Sequence, residues 1–194
     1  MVRWFLVAAV LGVSGPAFAE VLSEREARKA LFPVRGHVID VSPKLSELEK
    51  KIVTGIIPLM AKQLRQPVRY YASVAYSPDD GMVHDALQAA MNHHSPEDAD
   101  RAAIAACNAL KSLGAETCRI AARVLPRKYK PRALTLSIDA TVGFNRTYRK
   151  AKGPKSFAIS RKSGAWAMGR TDEMALEACE KRLKPKDCEI VIRD

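Results

Sequence analysis

The chain has 194 residues, 32 Lys plus Arg against 21 Asp plus Glu for a net charge of +11, and 47% hydrophobic residues. That length holds one domain or two small ones and excludes a large multidomain enzyme. The basic balance points to anionic partners.

Residues 1–19 begin Met1, Val2, Arg3, continue as an apolar run from Trp4 to Val13, and end in small residues with Ala17 and Ala19. One positive charge, about ten apolar residues and an Ala-x-Ala ending make a signal peptide, with cleavage before Glu20. An anchor needs about 20 apolar residues, and Gly12, Ser14, Gly15 and Pro16 interrupt this run too early. No later stretch is apolar for long enough to span a bilayer. The expected destination is the periplasm or the exterior, where thiols pair and persist.

Residues 20–67 read as an N-terminal helical segment. "SEREARKALF" predicts a short helix. "SPKLSELEKKIVTGIIPLMAKQLRQP" predicts a longer one, with Leu45, Leu48, Ile52, Ile56, Leu59 and Met60 on one stripe and Pro58 bending or ending it. The stripe is read as packing on the rest of the chain; a partner-binding or membrane-surface helix is the rival reading.

Two later segments echo each other. With Gly81 aligned to Gly164, "SVAYSPDDG" faces "SFAISRKSG". Further on, "ADRAAIAAC" ending at Cys107 faces "TDEMALEAC" ending at Cys179, and "CRIAARV" from Cys118 faces "CEIVIRD" from Cys188. Residues 68–126 and 155–194 are therefore two divergent repeats of strand, turn, strand, helix, strand. In the first helix Ser95 is the N-cap, Pro96 occupies the first position and Asp98 completes a capping-box-like arrangement. Ala99, Ala102, Ala103, Ala106, Cys107 and Leu110 share a face, and Gly114 is the expected stop. In the second, Thr171 is the cap, Met174, Ala178 and Cys179 share a face, and Pro185 forbids continuation. The expected fold class is α+β with mainly antiparallel sheet.

Each repeat places one Cys late on a helix and one at the start of the next strand, so the expected bridges are Cys107 with Cys118 and Cys179 with Cys188. No Cys-x-x-Cys occurs, and structural staples are preferred to a redox pair or a zinc site.

Residues 127–154 form a basic connecting segment, with a short helix expected between Ser137 and Tyr148. The Lys and Arg residues expected to gather into an anion-binding patch are Arg127, Lys128, Lys130, Arg132, Arg146, Arg149, Lys150, Lys152 and Lys155; a merely solvated face is the competing reading.

The second repeat, "KSFAISRKSGAWAMG" followed by an Ala-rich helix with Cys and a closing "DCEIVIRD", resembles a short domain of unknown function in exported bacterial proteins. Its marks are a Gly-Ala-Trp-Gly turn, an Ala-Leu-x-x-Cys helix and a Cys-led last strand. The resemblance covers residues 155–194 and, more loosely, 70–125, where "GMVHDA" replaces the tryptophan turn and the segment before the helix is longer. It implies no established activity.

The residues themselves carry no Gly-x-Ser-x-Gly elbow, His-Glu-x-x-His or glycine-rich phosphate loop. His84, His93 and His94 are read as solvated loop residues rather than ligands, so neither metal nor cofactor is expected. Ser156 and Ser160 near Lys155 and Lys162 are read as surface residues rather than a catalytic dyad. Trp166 packs in the core or offers a ligand-stacking platform. The resulting expectation is a non-enzymatic exported module whose basic patch takes an anionic envelope component or an acidic protein. Nucleic acid matches the charge but not the compartment. The alternative is a small periplasmic hydrolase or an inhibitor.

Overall fold

The computed structural model describes residues 20–63 and 65–194; the expected leader over residues 1–19 lies outside them. The chain is α+β, with five α-helices and two antiparallel sheets among the described residues.

Two fully buried strands, β2 (Ala72–Tyr76) and β5 (Ser156–Ser160), organise these sheets. Side chains alternate across a strand, so each presents small residues to one face and bulky ones to the other. Ser73 and Ala75 meet α3 (Pro96–Asn108), and Ser156 and Ala158 meet α5 (Asp172–Lys181). Val74 on one strand, and Phe157 and Ile159 on the other, enter the larger apolar clusters. β3 (Gln88–Ala90) and β4 (Arg119–Pro126) flank β2, while β6 (Trp166–Gly169) and β7 (Cys188–Arg193) flank β5. Both units thus share the connection strand, strand, helix, strand. Their registers also agree: Ser73 lies opposite Arg123 and Ser156 opposite Arg193, and the pairing slips between Val74 and Ala75 in one and Phe157 and Ala158 in the other.

One polar triad recurs with that register. Ser73 Oγ donates to Asp100 at 2.5 Å, and Arg123 clamps the same carboxylate through Nε and Nη2 at 2.7–3.0 Å. Ser156 Oγ donates to Asp172 at 2.5 Å, and Arg193 holds that carboxylate from β7. Each triad ties a helix to two strands. Disulfides make the second tie, Cys107 to Cys118 and Cys179 to Cys188, across sequence separations of 11 and 9.

The N-terminal segment contributes more than helices. Besides α1 (Glu24–Ala30) and α2 (Glu47–Gln63) it forms β1 (His37–Val41), which pairs with β4 from His37 opposite Pro126 to Val41 opposite Ala122. Leu22 makes a parallel bridge to Ile192: its N–H donates to Val191 O at 3.0 Å and its carbonyl accepts from Arg193 N–H at 2.9 Å. β4 and β7 hold equivalent places in the two units, so one segment covers the equivalent edge of both sheets. An open edge leaves a row of unsatisfied N–H and C=O groups, which a purely helical segment would not have paired.

Burial corrects three helical readings. On α2 the buried side chains are Val53 and Ile57, whereas Leu48 and Leu59 are exposed and Pro58 lies inside the helix. On α3 the helix ends at Asn108, before Gly114, because Asn108 Oδ1 turns to accept Cys118 N–H at 3.0 Å; Leu110 is left exposed. On α5 the buried pair is Ala175 and Cys179, and Met174 faces solvent.

Between the units runs α4 (Ile138–Arg146), whose cap Ser137 accepts Ala140 N–H at 3.2 Å. Its Gly143 is in helical conformation and touches Trp166 so closely that an added Cβ would overlap the indole ring. Gly143→Ala is expected to destabilise the fold by about 1–3 kcal/mol through overpacking, despite the gain in helix propensity. Trp166 is the only tryptophan in residues 20–194, so intrinsic fluorescence of that span during urea unfolding reads this site directly; an unchanged midpoint and spectrum would refute the close packing.

Candidate functional site

The two units differ most in the link between their second strand and their helix. In the second unit Arg170 and Thr171 alone join β6 to α5; in the first, Met91 to Ser95 join β3 to α3, and α3 starts about a turn earlier relative to its buried cysteine. Asp100 and Asp172 both precede that cysteine by the same spacing, so Glu97 and Asp98 belong to the additional turn. That addition meets the second unit. Asn92 adopts φ 62°, and its carbonyl oxygen would stand 2.6 Å from a Cβ at Gly164. Only glycine satisfies both that space and its own φ of 72°.

His94 is fully buried at this junction. Ser137 N–H lies 3.3 Å from His94 Nδ1, and His94 Nε2 lies 3.0 Å from Ala165 O. A carbonyl only accepts and an amide N–H only donates, so the ring is neutral, protonated at Nε2. Burial pushes its pKa down to about 4. His93 is also buried, with Nδ1 lacking a partner. Burial lowers its pKa too, while the Asp98 carboxylate opposes that shift. The expected solvated pair is therefore an interior pair, because the longer link must fold under the Gly164 turn. His84 sits elsewhere, in the β2–β3 connection, where its Nδ1 accepts Ala86 N–H at 3.1 Å.

Beside the histidines a solvent-open groove of about 690 Å³ is lined by Asp98, Arg101, Tyr129, Arg132, Thr135 and Arg161 among others. It draws on both units and on the basic segment between them. Asp98 accepts from Arg101 through Oδ1, its backbone N–H donates to Ser95 Oγ at 3.1 Å, and its Oδ2 is buried without a hydrogen bond. Arg161 Nη1 stands 3.9 Å from Oδ2, and Arg161 Nε donates to Glu189 at 2.5 Å. Arg132 reaches the groove while donating to the carbonyls of Ala30 and Leu31 at 2.8 and 3.0 Å, its guanidinium 3.6 Å from the Phe32 ring centre. Among the described residues no carboxylate forms an ion pair with it, though Glu97 and Asp98 line the same groove.

The expected basic patch is divided by these partners. Lys155 is buried: Nζ donates to Glu24 at 2.7 Å and to the Tyr148 and Ala151 carbonyls at 3.2 Å. It cannot serve as an exposed anion contact, because the backbone at Lys155 is paired with Asp194 at the sheet's end. Arg149 stands 3.6 Å from Glu24, and Arg127 packs beside Gly36. Lys128, Lys130, Arg146, Lys150 and Lys152 are exposed.

Ser156 and Ser160 are buried, contrary to the surface reading, with hydroxyls donating to Asp172 and Asp187 at 2.5 and 2.7 Å. Neighbouring strand residues point to opposite faces, which separates Ser156 from the Lys155 ammonium. Trp166 stacks on Phe157 with centroids 5.3 Å apart, and the Arg182 guanidinium lies 4.5 Å from its ring centre. The indole thus has protein partners in the second core.

Sequence reasoning missed Arg101, Arg161 and Thr135 as site residues and saw Asp98 only as a capping residue. The one available signal was the longer segment before the first helix. The chain matches no family model, no curated protein and no solved structure, so sequence and geometry alone carry the reading of the site.

Proposed function

We propose that the mature chain is an exported binding module of the cell envelope that takes an anionic ligand in the groove between its two units. The observation that carries this reading is the convergence of Arg101, Arg132 and Arg161 on one groove. Arg132 has only neutral hydrogen-bond partners, and the lining sets three arginines against the Glu97 and Asp98 carboxylates, so a net positive charge remains to attract an anion. Export is supported by the leader pattern and by two disulfides. Among the described residues no helix is long and apolar enough to cross a membrane.

The reactive side chains are engaged in holding the fold. The cysteines are paired, and the Ser156 and Ser160 hydroxyls and the Lys155 ammonium serve carboxylates. Binding rather than turnover is the chemistry the exposed groups favour.

The test is calorimetric titration with tripolyphosphate. Binding is expected at about 0.1 M salt and is expected to weaken at least about tenfold at 1 M, where the screening length falls from about 10 Å to about 3 Å. Replacing Arg132 and Arg161 together by Gln should remove most of that binding, while Lys128→Gln with Lys130→Gln should leave most of it. The reverse ranking would move the site to the exposed loop. Indifference to both pairs would refute a localised site.

A further inference from the structure

The groove offers an acceptor as well as cations. Asp98 Oδ2 and His93 Nδ1 are both buried and both without a hydrogen-bond partner, and an unsatisfied buried polar atom is costly unless something completes it. Asp98 itself lines the groove; Arg101 is bonded to its other oxygen, and Arg161 stands beyond hydrogen-bond distance of Oδ2 at 3.9 Å. A ligand that approaches the three arginines therefore meets a carboxylate oxygen in need of a donor.

The donor's charge follows from the surroundings. Arg101 already bonds Asp98, and Arg161 faces it from the second unit. An ammonium at Oδ2 would meet these two guanidiniums at close range, with Glu97 the one other carboxylate among the lining residues. A hydroxyl brings a donor without that repulsion and is therefore favoured. The remaining wall suits the same ligand. Tyr129 is half-buried, fixed edge-on to Tyr71 with centroids 5.8 Å apart and beside Phe32 at 5.6 Å, and it presents an aromatic surface next to Pro131. Thr135 adds a hydroxyl. Aromatic walls receive C–H faces, and a few placed polar groups orient the ligand.

We infer that the groove recognises an acidic saccharide: its carboxylate or phosphate lies on the arginines, a ring hydroxyl donates to Asp98 Oδ2, and the ring's C–H face rests on Tyr129. This rests on the proposed anion-binding role of the groove and narrows it to a ligand class. The additional turn that carries Asp98 is absent from the second unit, so one site per chain is expected.

Three probes separate charge from hydroxyls: an oligogalacturonate, its fully methyl-esterified neutral counterpart, and tripolyphosphate. The oligogalacturonate is expected to bind at least about tenfold more tightly than either of the others, the difference a hydrogen bond to a charged group commonly supplies. Asp98→Asn places an amide where a second acceptor oxygen stood; it should erase the preference for oligogalacturonate while keeping the response to tripolyphosphate. Because Asp98 also bonds Arg101 at the start of α3, Thr135→Val provides an independent variant, expected to weaken oligogalacturonate about threefold or more without lowering the melting temperature. Equal affinity for oligogalacturonate and tripolyphosphate, or no effect of either variant, would overturn the saccharide assignment and leave the anion groove standing. Failure of every anionic probe, at low salt, would overturn both.

Discussion

Reducing both disulfides is expected to lower the stability of the chain by about 5 kcal/mol and its melting temperature by about 10–20 °C. The bridges close separations of 11 and 9 residues. In the chain-entropy model, loops of that size restrict the unfolded ensemble by about 2–3 kcal/mol each. They lie in different units and staple different helices, so their contributions should add. A domain of this kind holds about 5–15 kcal/mol in all, and each kcal/mol moves the midpoint by about 2–4 °C at this size. Calorimetry with and without reductant measures the sum, and paired Cys→Ala variants should divide it nearly evenly. A combined shift below about 3 °C would show that the triads of Ser, Asp and Arg hold the helices without them. Peptide mapping that joined Cys107 to Cys179 would contradict the two-unit arrangement itself.

Acid should act at the junction instead. His94 is neutral in the fold with a pKa pushed to about 4, against an ordinary value near 6.5. Because the folded value is depressed, the unfolded chain binds the proton first as pH falls. The stability that His94 supports is complete above about pH 6.5 and declines progressively to about pH 4. The loss amounts to about 3 kcal/mol. His93 and Arg161 face the ring and disfavour its cation, and the buried His93 shifts in the same direction. Protonated Nδ1 would confront the Ser137 N–H across a hydrogen-bond distance, two donors with no acceptor between them. Urea midpoints between pH 7 and 4 test this. His94→Gln, which does not titrate, should lose markedly less stability over that interval than the natural chain. Parallel losses in both proteins would assign the acid sensitivity to carboxylates elsewhere.

Much of the architecture was legible because its signals are local. Ser95, Ser137 and Thr171 each cap a helix through their own side chain, and the matched blocks around the four cysteines recur as equivalent strands and helices. Signals that depend on distant partners were not legible. A charge count along the chain treats Lys155 and Lys152 alike, yet Glu24, at a sequence separation of 131, draws the first inside. Likewise His93 and His94 read as an exposed pair until the Gly164 turn closes over them. The stripe on α2 differs from expectation because Val53 and Ile57, one residue along from Ile52 and Ile56, meet the sheet. The groove is the extreme case. Asp98 and Arg161 converge only after both units have folded, and no window of sequence holds both.

The bridge between Leu22 and Ile192 also bears on how the fold responds to tension. Glu24 N–H donates to the Asp194 carboxylate at 3.1 Å beside it, so the N-terminal strand residues and the last strand run side by side in the same direction. A pull applied at Glu20 and at Asp194 drags two parallel neighbours in opposite senses. The hydrogen bonds from Leu22 to Val191 and from Arg193 to Leu22 are then loaded together, in shear, rather than opened one after another. Stretched between those points, the molecule is clamped at Leu22 and Arg193, with the backbone pair of Lys155 and Asp194 sharing the load, and the first sheet is spared until that clamp has slipped.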